Sequence, residues 1–267
     1  MAQARNTNSR AAAGAHPSPA DGALPPLTAR SVLASALLGM DPPELPVSQL
    51  VRLTGLFGIS ENRARVALSR MVAAGEASSD GAGRYRLAGH LAARQSRQSA
   101  SRAGATSPWD GEWCLAVVTT TGSSAEVRSA RRRALGYARL AELREGVWLR
   151  PANVPVRLPD GLDADVELLA ARPADPGAMA TRLWDLDAWS ERADQLLAGL
   201  SALSPDRPES LAPGFELSAA VLRHLQADPL LPSQLLPAAW PGARLRHVYD
   251  EWDARYRSTL RTWSREV

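Results

Sequence analysis

Apolar positions along the chain fall into blocks whose rhythm changes twice. The first block is helical. Thr28 is placed to cap a helix running to about Leu38, ended by Gly39 and the turn-rich Asp41-Pro42-Pro43. Leu50, Val51, Leu53 and Leu56 mark the inner side of a second helix over 47–57, which Gly58 ends. Ser60 starts a third over 61–74, closed by Gly75. There Ala64, Ala67, Leu68, Met71 and Val72 follow the i, i+3, i+4, i+7, i+8 rule of a helix with one buried face. Two extended arms, 76–79 and 84–87, then flank Asp80-Gly81-Ala82-Gly83, as in a hairpin around a Gly-rich turn. Three helices and a hairpin predict a winged helix over 27–88.

Residues 89–108 carry Ser, Ala, Gln, Gly and Arg with few large apolar groups, and read as a helix end plus linker. The rhythm then becomes that of strands. Residues 113–120 (WCLAVVTT) are rich in β-formers, 123–135 read as a helix, and 140–143, 146–149 and 165–171 as short strands. This order predicts a ferredoxin-like α+β sandwich over 109–175, whose second helix would have to be the Pro-broken stretch near 158–162. From 176 to 267 the helical rhythm returns. Leu183, Leu186, Ala193, Leu197 and Leu200 form one stripe within 181–203, and a helix follows over 216–227. After a loop with Pro229, Pro232 and Pro237, Leu245, Val248, Trp252 and Tyr256 line a last helix over 243–264. The fold class expected is α+β: an N-terminal winged helix, a central ferredoxin-like domain and a C-terminal helical domain.

Charge sharpens this division. All 31 basic residues are arginine, a bias that a high-GC genome produces, so their number says less than their placement. Residues 27–105 balance at +5, residues 1–26 at +1 and residues 106–267 at −3. The positive charge therefore sits on the predicted winged helix, where a nucleic-acid footprint is sought. Residues 1–26 lack the apolar block of a secretory signal and read as a flexible tail. No apolar run reaches the roughly 18 residues of a membrane span. The single cysteine, Cys114, excludes an internal disulfide framework. A soluble cytoplasmic protein is expected.

The third helix is the most informative segment. Its outer face carries Asn62, Arg63, Val66, Ser69 and Arg70, with Arg65 on the flank. Arg63 and Arg70 can each donate two bonds to a guanine, Asn62 or Ser69 can bond a base or phosphate, and Val66 can meet a thymine methyl. Ser60 is in position to cap the helix, whose N-terminus can receive a phosphate. Arg84 and Arg86 beside the hairpin turn are placed for backbone contacts. Double-stranded DNA is the partner this pattern predicts. A winged helix that contacts a protein instead is the alternative, and neither repression nor activation can be read from these residues.

Several separate stretches resemble one family. RARVALSRMVAAGEA is similar to the recognition helix and first wing strand of the PaaX-like bacterial regulators, named for the repressor of phenylacetate catabolism. Trp109-Asp110-Gly111-Glu112-Trp113, Leu135-Gly136-Tyr137 and Gly146-Val147-Trp148-Leu149-Arg150 resemble that family's central domain. Leu183-Trp184-Asp185-Leu186-Asp187 resembles its linking helix, and Asp228-Pro229 with 235–242 its C-terminal module. The resemblance covers roughly 27–263. It implies a homodimeric repressor with a Cas2-like central domain, released from DNA by a small effector, an aryl-acyl-CoA in the founding members. Two features depart from the pattern: the long Ala/Pro tail, and a short wing turn, DGAGRYRL, with little basic character.

For such an effector, Arg128, Arg131 and Arg132 on the central helix are candidate anion ligands and Trp148 a candidate aromatic wall. The same arginines also read as a solvated face paired with nearby acids, and the tryptophan as a core anchor. The stripe from Leu183 to Leu200 is a candidate dimer contact. No enzyme is expected. The first central strand ends in Thr119-Thr120-Thr121, without the carboxylate a metal-dependent nuclease needs. His16, His90, His224 and His247 show no ligand spacing, and no nucleotide-binding fingerprint is present. No catalytic residue, metal or cofactor is assigned.

Overall fold

The computed structural model describes residues 27–265 apart from Asp41, Asp160 and Asp163; the tail over 1–26 lies outside the described residues. The chain divides into two units. Residues 109–184 form one, and residues 27–108 combine with residues 185–265 in the other.

The composite unit begins as the residues dictate. Thr28 and Ser31 exchange the two bonds of a capping box, opening α1 (Ala29–Leu38), which buries Val32, Leu33 and Leu37 completely. A short strand, β1 (Glu44–Pro46), leads directly into α2 (Val47–Gly55). Gly58 (φ +66°) turns the chain into α3 (Glu61–Ala73), and Gly75 (φ +68°) turns it out again. β2 (Ala77–Ser79) and β3 (Arg84–Leu87) form the predicted hairpin, its turn held by Asp80, which accepts from the backbone N–H groups of Ala82 and Arg84. The sheet order is β1-β3-β2, all antiparallel, with Tyr85 opposite both Leu45 and Ser79. This is the arrangement of a winged helix. The sequence pattern assigns no element to 44–46, because three residues with a proline carry too little strand pattern.

Residues 89–108 differ from the expected linker. They form α4 (Gly89–Ala103), which buries little beyond Leu91 and Ser101. Polar contacts hold it instead: Gln95 donates to the Met40 carbonyl, and Arg102 donates to Asp250 and to the nearly buried Asp253.

The C-terminal part supplies α7 (Leu186–Ala202), α8 (Leu211–Gln226) and α9 (Gly242–Arg265). One continuous core runs from Val32, Leu37, Leu50 and Leu68 to Leu197, Leu225, Leu245 and Trp252. The predicted boundaries at 88 and 176 therefore separate segments that share a hydrophobic interior. The 181–203 stripe is also interrupted, because Trp184 is extended and Asp185 caps α7 afresh. Ala193, Leu197 and Leu200 face this interior, and Leu183 and Leu186 are buried as well, so the stripe is spent within the chain rather than offered as the expected dimer contact.

The second unit holds β4 (Trp113–Val118), α5 (Ala125–Tyr137), β5 (Ala141–Arg144), β6 (Val147–Pro151), β7 (Val166–Ala171) and α6 (Pro176–Leu183). The sheet order β5-β6-β4-β7, antiparallel throughout, is that of a ferredoxin-like sheet. Ala116, Leu135, Leu140, Trp148 and Val166 form its core. The second helix expected near 158–162 is not found among the described residues; Leu158 and Leu162 pack against the core from turn and coil.

Two packing details generate tests. At Gly214 of α8 an added Cβ would lie 2.6 Å from Tyr256 and 3.1 Å from Trp252 of α9. Gly214→Ala is expected to lower stability by about 1–3 kcal/mol through overpacking, although alanine favours a helix by about 1 kcal/mol; urea denaturation reads the sign. His224 stacks on Trp189 at 4.2 Å and donates from Nε2 to the Trp189 carbonyl at 3.0 Å, while Trp240 stacks on the same indole at 4.3 Å. Burial pushes the His224 imidazole down to about 4, against the opposing pull of that carbonyl bond and of Asp228. Between about 6.5, its ordinary value, and about 4 the unfolded chain binds the extra proton. Stability from this group is thus complete above the upper value and falls as the pH drops through the window. Denaturation midpoints measured from pH 7 to 4 should show that slope, and His224→Phe should flatten it.

Candidate nucleic-acid interface

The inner face of α3 is fixed by Ala64, Leu68 and Met71, each at most 1% exposed. Ala67 is half-buried, and Val72, expected inside, is 38% exposed where the helix approaches its end. Burial of that face turns the opposite one outward. Asn62, Arg63, Val66, Ser69 and Arg70 are all exposed, on the same side of the helix. Val66, an apolar residue open to solvent at 42%, sits between the two arginines in sequence.

The cations of α3 differ in their engagement. Arg65 is paired with Glu61 one turn away at 2.8 Å, an exposed helix-surface contact. Arg63 and Arg70 have no ion pair or hydrogen bond among the described residues. Ser60 occupies the N-cap position with extended backbone (φ −65°, ψ 151°), but its hydroxyl makes no capping bond. The sequence placed Ser60 correctly and overstated its local role.

Behind the helix, Arg30 of α1 donates from Nε to Glu76 at 2.8 Å and makes a second bond to the other carboxylate oxygen. Glu76 directly follows the end of α3, and this fork holds its carboxyl below the usual carboxylate range. The first helix is thereby tied to the junction of α3 and the wing.

The wing carries a feature the sequence reading missed. Arg84 and Arg86 alternate along β3 and so project from one face, where Glu44 of β1 meets both. Arg84 reaches Glu44 at 2.9 Å and Arg86 at 2.7 Å. The Arg86 and Arg84 guanidiniums hold the Glu44 carboxyl low. The wing therefore presents two guanidiniums, 51% and 64% exposed, with one of their charges balanced in place. The signal available was the apolar Leu45 beside the polar Glu44, which the strand buries between two half-buried neighbours, but Pro46 obscured it.

The predicted effector residues do not converge. Arg131 is 7% exposed and bonds Asp165 at 3.0 Å and the Ser123 hydroxyl at 3.1 Å. Arg132 pairs with Glu142 at 2.8 Å, and Arg128 donates to the Ser123 carbonyl. Trp148 lies in the core of the central sheet at 4% exposure. Arg131, Arg132 and Trp148 thus have structural employment, and none of the four lines either described cavity. Two substitutions separate a structural from a surface role. Arg131→Ala is expected to cost about 1–3 kcal/mol by stranding Asp165, and Arg132→Ala less than about 0.5 kcal/mol, measured by chemical denaturation. Burial pushes the half-buried Cys114 thiol up, away from the thiolate form a nucleophile needs. No helix among the described residues is long and apolar enough to cross a membrane.

Comparison with known proteins covers both units. Residues 28–91 match the model of the PaaX-like protein family, residues 106–173 that of the PaaX protein central Cas2-like domain, and residues 184–265 that of the PaaX-like protein C-terminal domain. A search of curated proteins returns no match. Among solved structures, an uncharacterized protein from Mycobacterium tuberculosis is 41% identical, with a TM-score of 0.71, covering 88% of this chain and 98% of its own. With three family domains matched in order along the chain, it belongs to the PaaX-like family.

Proposed function

We propose that this protein is a cytoplasmic transcriptional regulator that reads double-stranded DNA through α3. The observation that carries the reading is the pair Arg63 and Arg70. Both are exposed and unpartnered on the outer face of a helix whose inner face is locked by Ala64, Leu68 and Met71. A guanidinium without a protein partner on a helix of groove width is a donor fork for a guanine edge. Membership in the PaaX-like family agrees with a regulatory role.

On this reading Asn62 and Ser69 contact bases or phosphates, Val66 meets a thymine methyl, Arg65 flanks the site, and the first turn after Ser60 approaches a phosphate. Arg84 and Arg86 touch the DNA backbone, exchanging part of their hold on Glu44 for a phosphate. The chain acts as a homodimer on a palindromic operator, its two α3 helices one helical turn apart. It represses, and a small-molecule effector such as an acyl-CoA releases it. It is a binding protein and not an enzyme.

A second reading is favoured by the Glu44 bridge. A wing whose cations are already paired also suits a protein partner, and such a module would show no salt-dependent DNA binding.

Fluorescence anisotropy decides between them, using DNA from upstream of the protein's own gene against scrambled DNA across a salt series. The native fragment should be preferred, with affinity falling steeply as salt rises. Arg63→Ala or Arg70→Ala should each cost about 1–3 kcal/mol and relax specificity at one base pair. Arg84→Ala should weaken all sequences alike. Glu44→Gln should strengthen binding to all sequences and steepen the salt slope by up to about 1. Absence of salt-dependent binding to either fragment would overturn the reading.

A further inference from the structure

Within the composite unit, α1, α4, α8 and α9 enclose a chamber of about 90 Å³ that adjoins an open cleft of about 790 Å³. The two share Leu38, Met40, Gln98, Leu222, Asp253 and Arg257 along their walls. Leu38, Leu53, Phe215, Leu222 and Leu260 give the chamber an apolar lining.

Its charged groups fall into two sets. Asp253, the acid that lines the chamber, is already bound by Arg102 at 2.6 Å and Arg257 at 2.8 Å. In the cleft, Asp250 is bound by Arg102. These acids and cations neutralise one another. Arg94 of α4 and Arg223 of α8 also line the chamber, yet neither has an ion pair or hydrogen bond among the described residues. They are close enough to repel: burial, Arg94 and Arg192 together depress the Arg223 guanidinium. Two like charges gathered at an apolar chamber, with the acids that line the chamber and cleft already bound by Arg102 and Arg257, make a locus that an anion relieves.

We propose that this pocket binds a small amphipathic anion, its aliphatic tail in the chamber and its carboxylate or phosphate on Arg94 and Arg223. Size selects the tail: about 90 Å³ falls short of the ~150 Å³ cavity that takes up benzene, so a straight chain fits better than a ring. The cleft lies in the ~300–1,000 Å³ range of ligand sites, and seats whatever larger polar group the anion carries. The walls include Ser35, Ala36 and Leu38 of α1, the helix whose Arg30 is bonded to Glu76 just beyond α3, and Gly39 and Met40 after it. Control of DNA binding by this ligand rests on the regulatory reading above; binding itself does not.

The test uses the full chain, titrated calorimetrically and by thermal shift with octanoate, octyl phosphate, octanol and phenylacetate. Either octyl anion should bind and raise Tm, octanol should do neither, and the tighter of the two heads identifies a carboxylate or a phosphate source. The double variant Arg94→Gln/Arg223→Gln should weaken binding at least about tenfold, the loss of a charge-assisted contact. Neither side chain has an ion pair or hydrogen bond among the described residues and the two repel, so the unliganded variant should melt no lower than wild type. Leu222→Trp, which fills the chamber, should abolish binding while leaving both arginines in place. Failure of both octyl anions to bind at millimolar concentration, or unchanged binding by the double variant, would overturn the site. Phenylacetate binding as tightly as octanoate would overturn the aliphatic assignment. A final arm adds octanoate to a preformed complex with upstream DNA. Ligand binding without any DNA binding would sink the regulatory reading and leave the site standing.

Discussion

A carboxylate at 3% exposure holds the composite unit in register. Asp253 lies in the middle of α9, and removing such a charge from water costs several kcal/mol unless donors replace the solvent. Two guanidiniums do so. Arg257 comes from the next turn of the same helix, and Arg102 comes from α4, 151 residues earlier in the chain. Arg102 also lies over the Tyr249 ring at 5.0 Å. Because α4 buries so little apolar surface of its own, this contact decides where it lies. Through α4 it also fixes one wall of the chamber and the exit of the chain from the winged helix.

That dependence explains which parts of the molecule could be read from the residues. α1, α3, α9 and the strand β4 each carry their own periodic apolar pattern, and the structure reproduces them with ends shifted by a residue or two. α4 carries none: a helix defined by Arg102, Gln95 and their distant partners is indistinguishable from a linker until the rest of the unit is assembled. The shared core has the same character. Leu68 and Leu225 each announce a buried face, but no local signal says that those faces belong to one interior. β1 is short and contains Pro46, so its role in the wing sheet becomes visible only opposite β3.

The candidate interface was legible to a similar degree. Helical geometry alone assigned the outer face of α3, since the positions that must be buried exclude all others. It could not separate Arg65, spoken for by Glu61, from the free Arg63 and Arg70. It could not find Glu44 beneath the wing either, because that pairing is made across a sheet rather than along a helix. The arginines of α5 show the opposite error. A run of basic residues looks like an anion site in one dimension, whereas Arg131 and Arg132 are turned to Asp165 and Glu142 in three. The unpartnered pair that remains, Arg94 and Arg223, lies far apart in sequence on elements without any motif.

The order of the units along the chain has a consequence for its synthesis. Residues 109–184 are contiguous and can complete their sheet as soon as they leave the ribosome. The winged helix is made earlier but must wait, because the interior that Leu37 and Leu68 enter is closed by α9, which is made after the other described helices. At ~5–20 residues per second, the interval between α4 and the end of α9 is on the order of 10–30 s. Throughout it, the apolar faces of α1 and α3 lack their final cover. The nascent chain thus presents a finished middle between two halves of an unfinished core, and the winged helix, made before that middle, is secured after it.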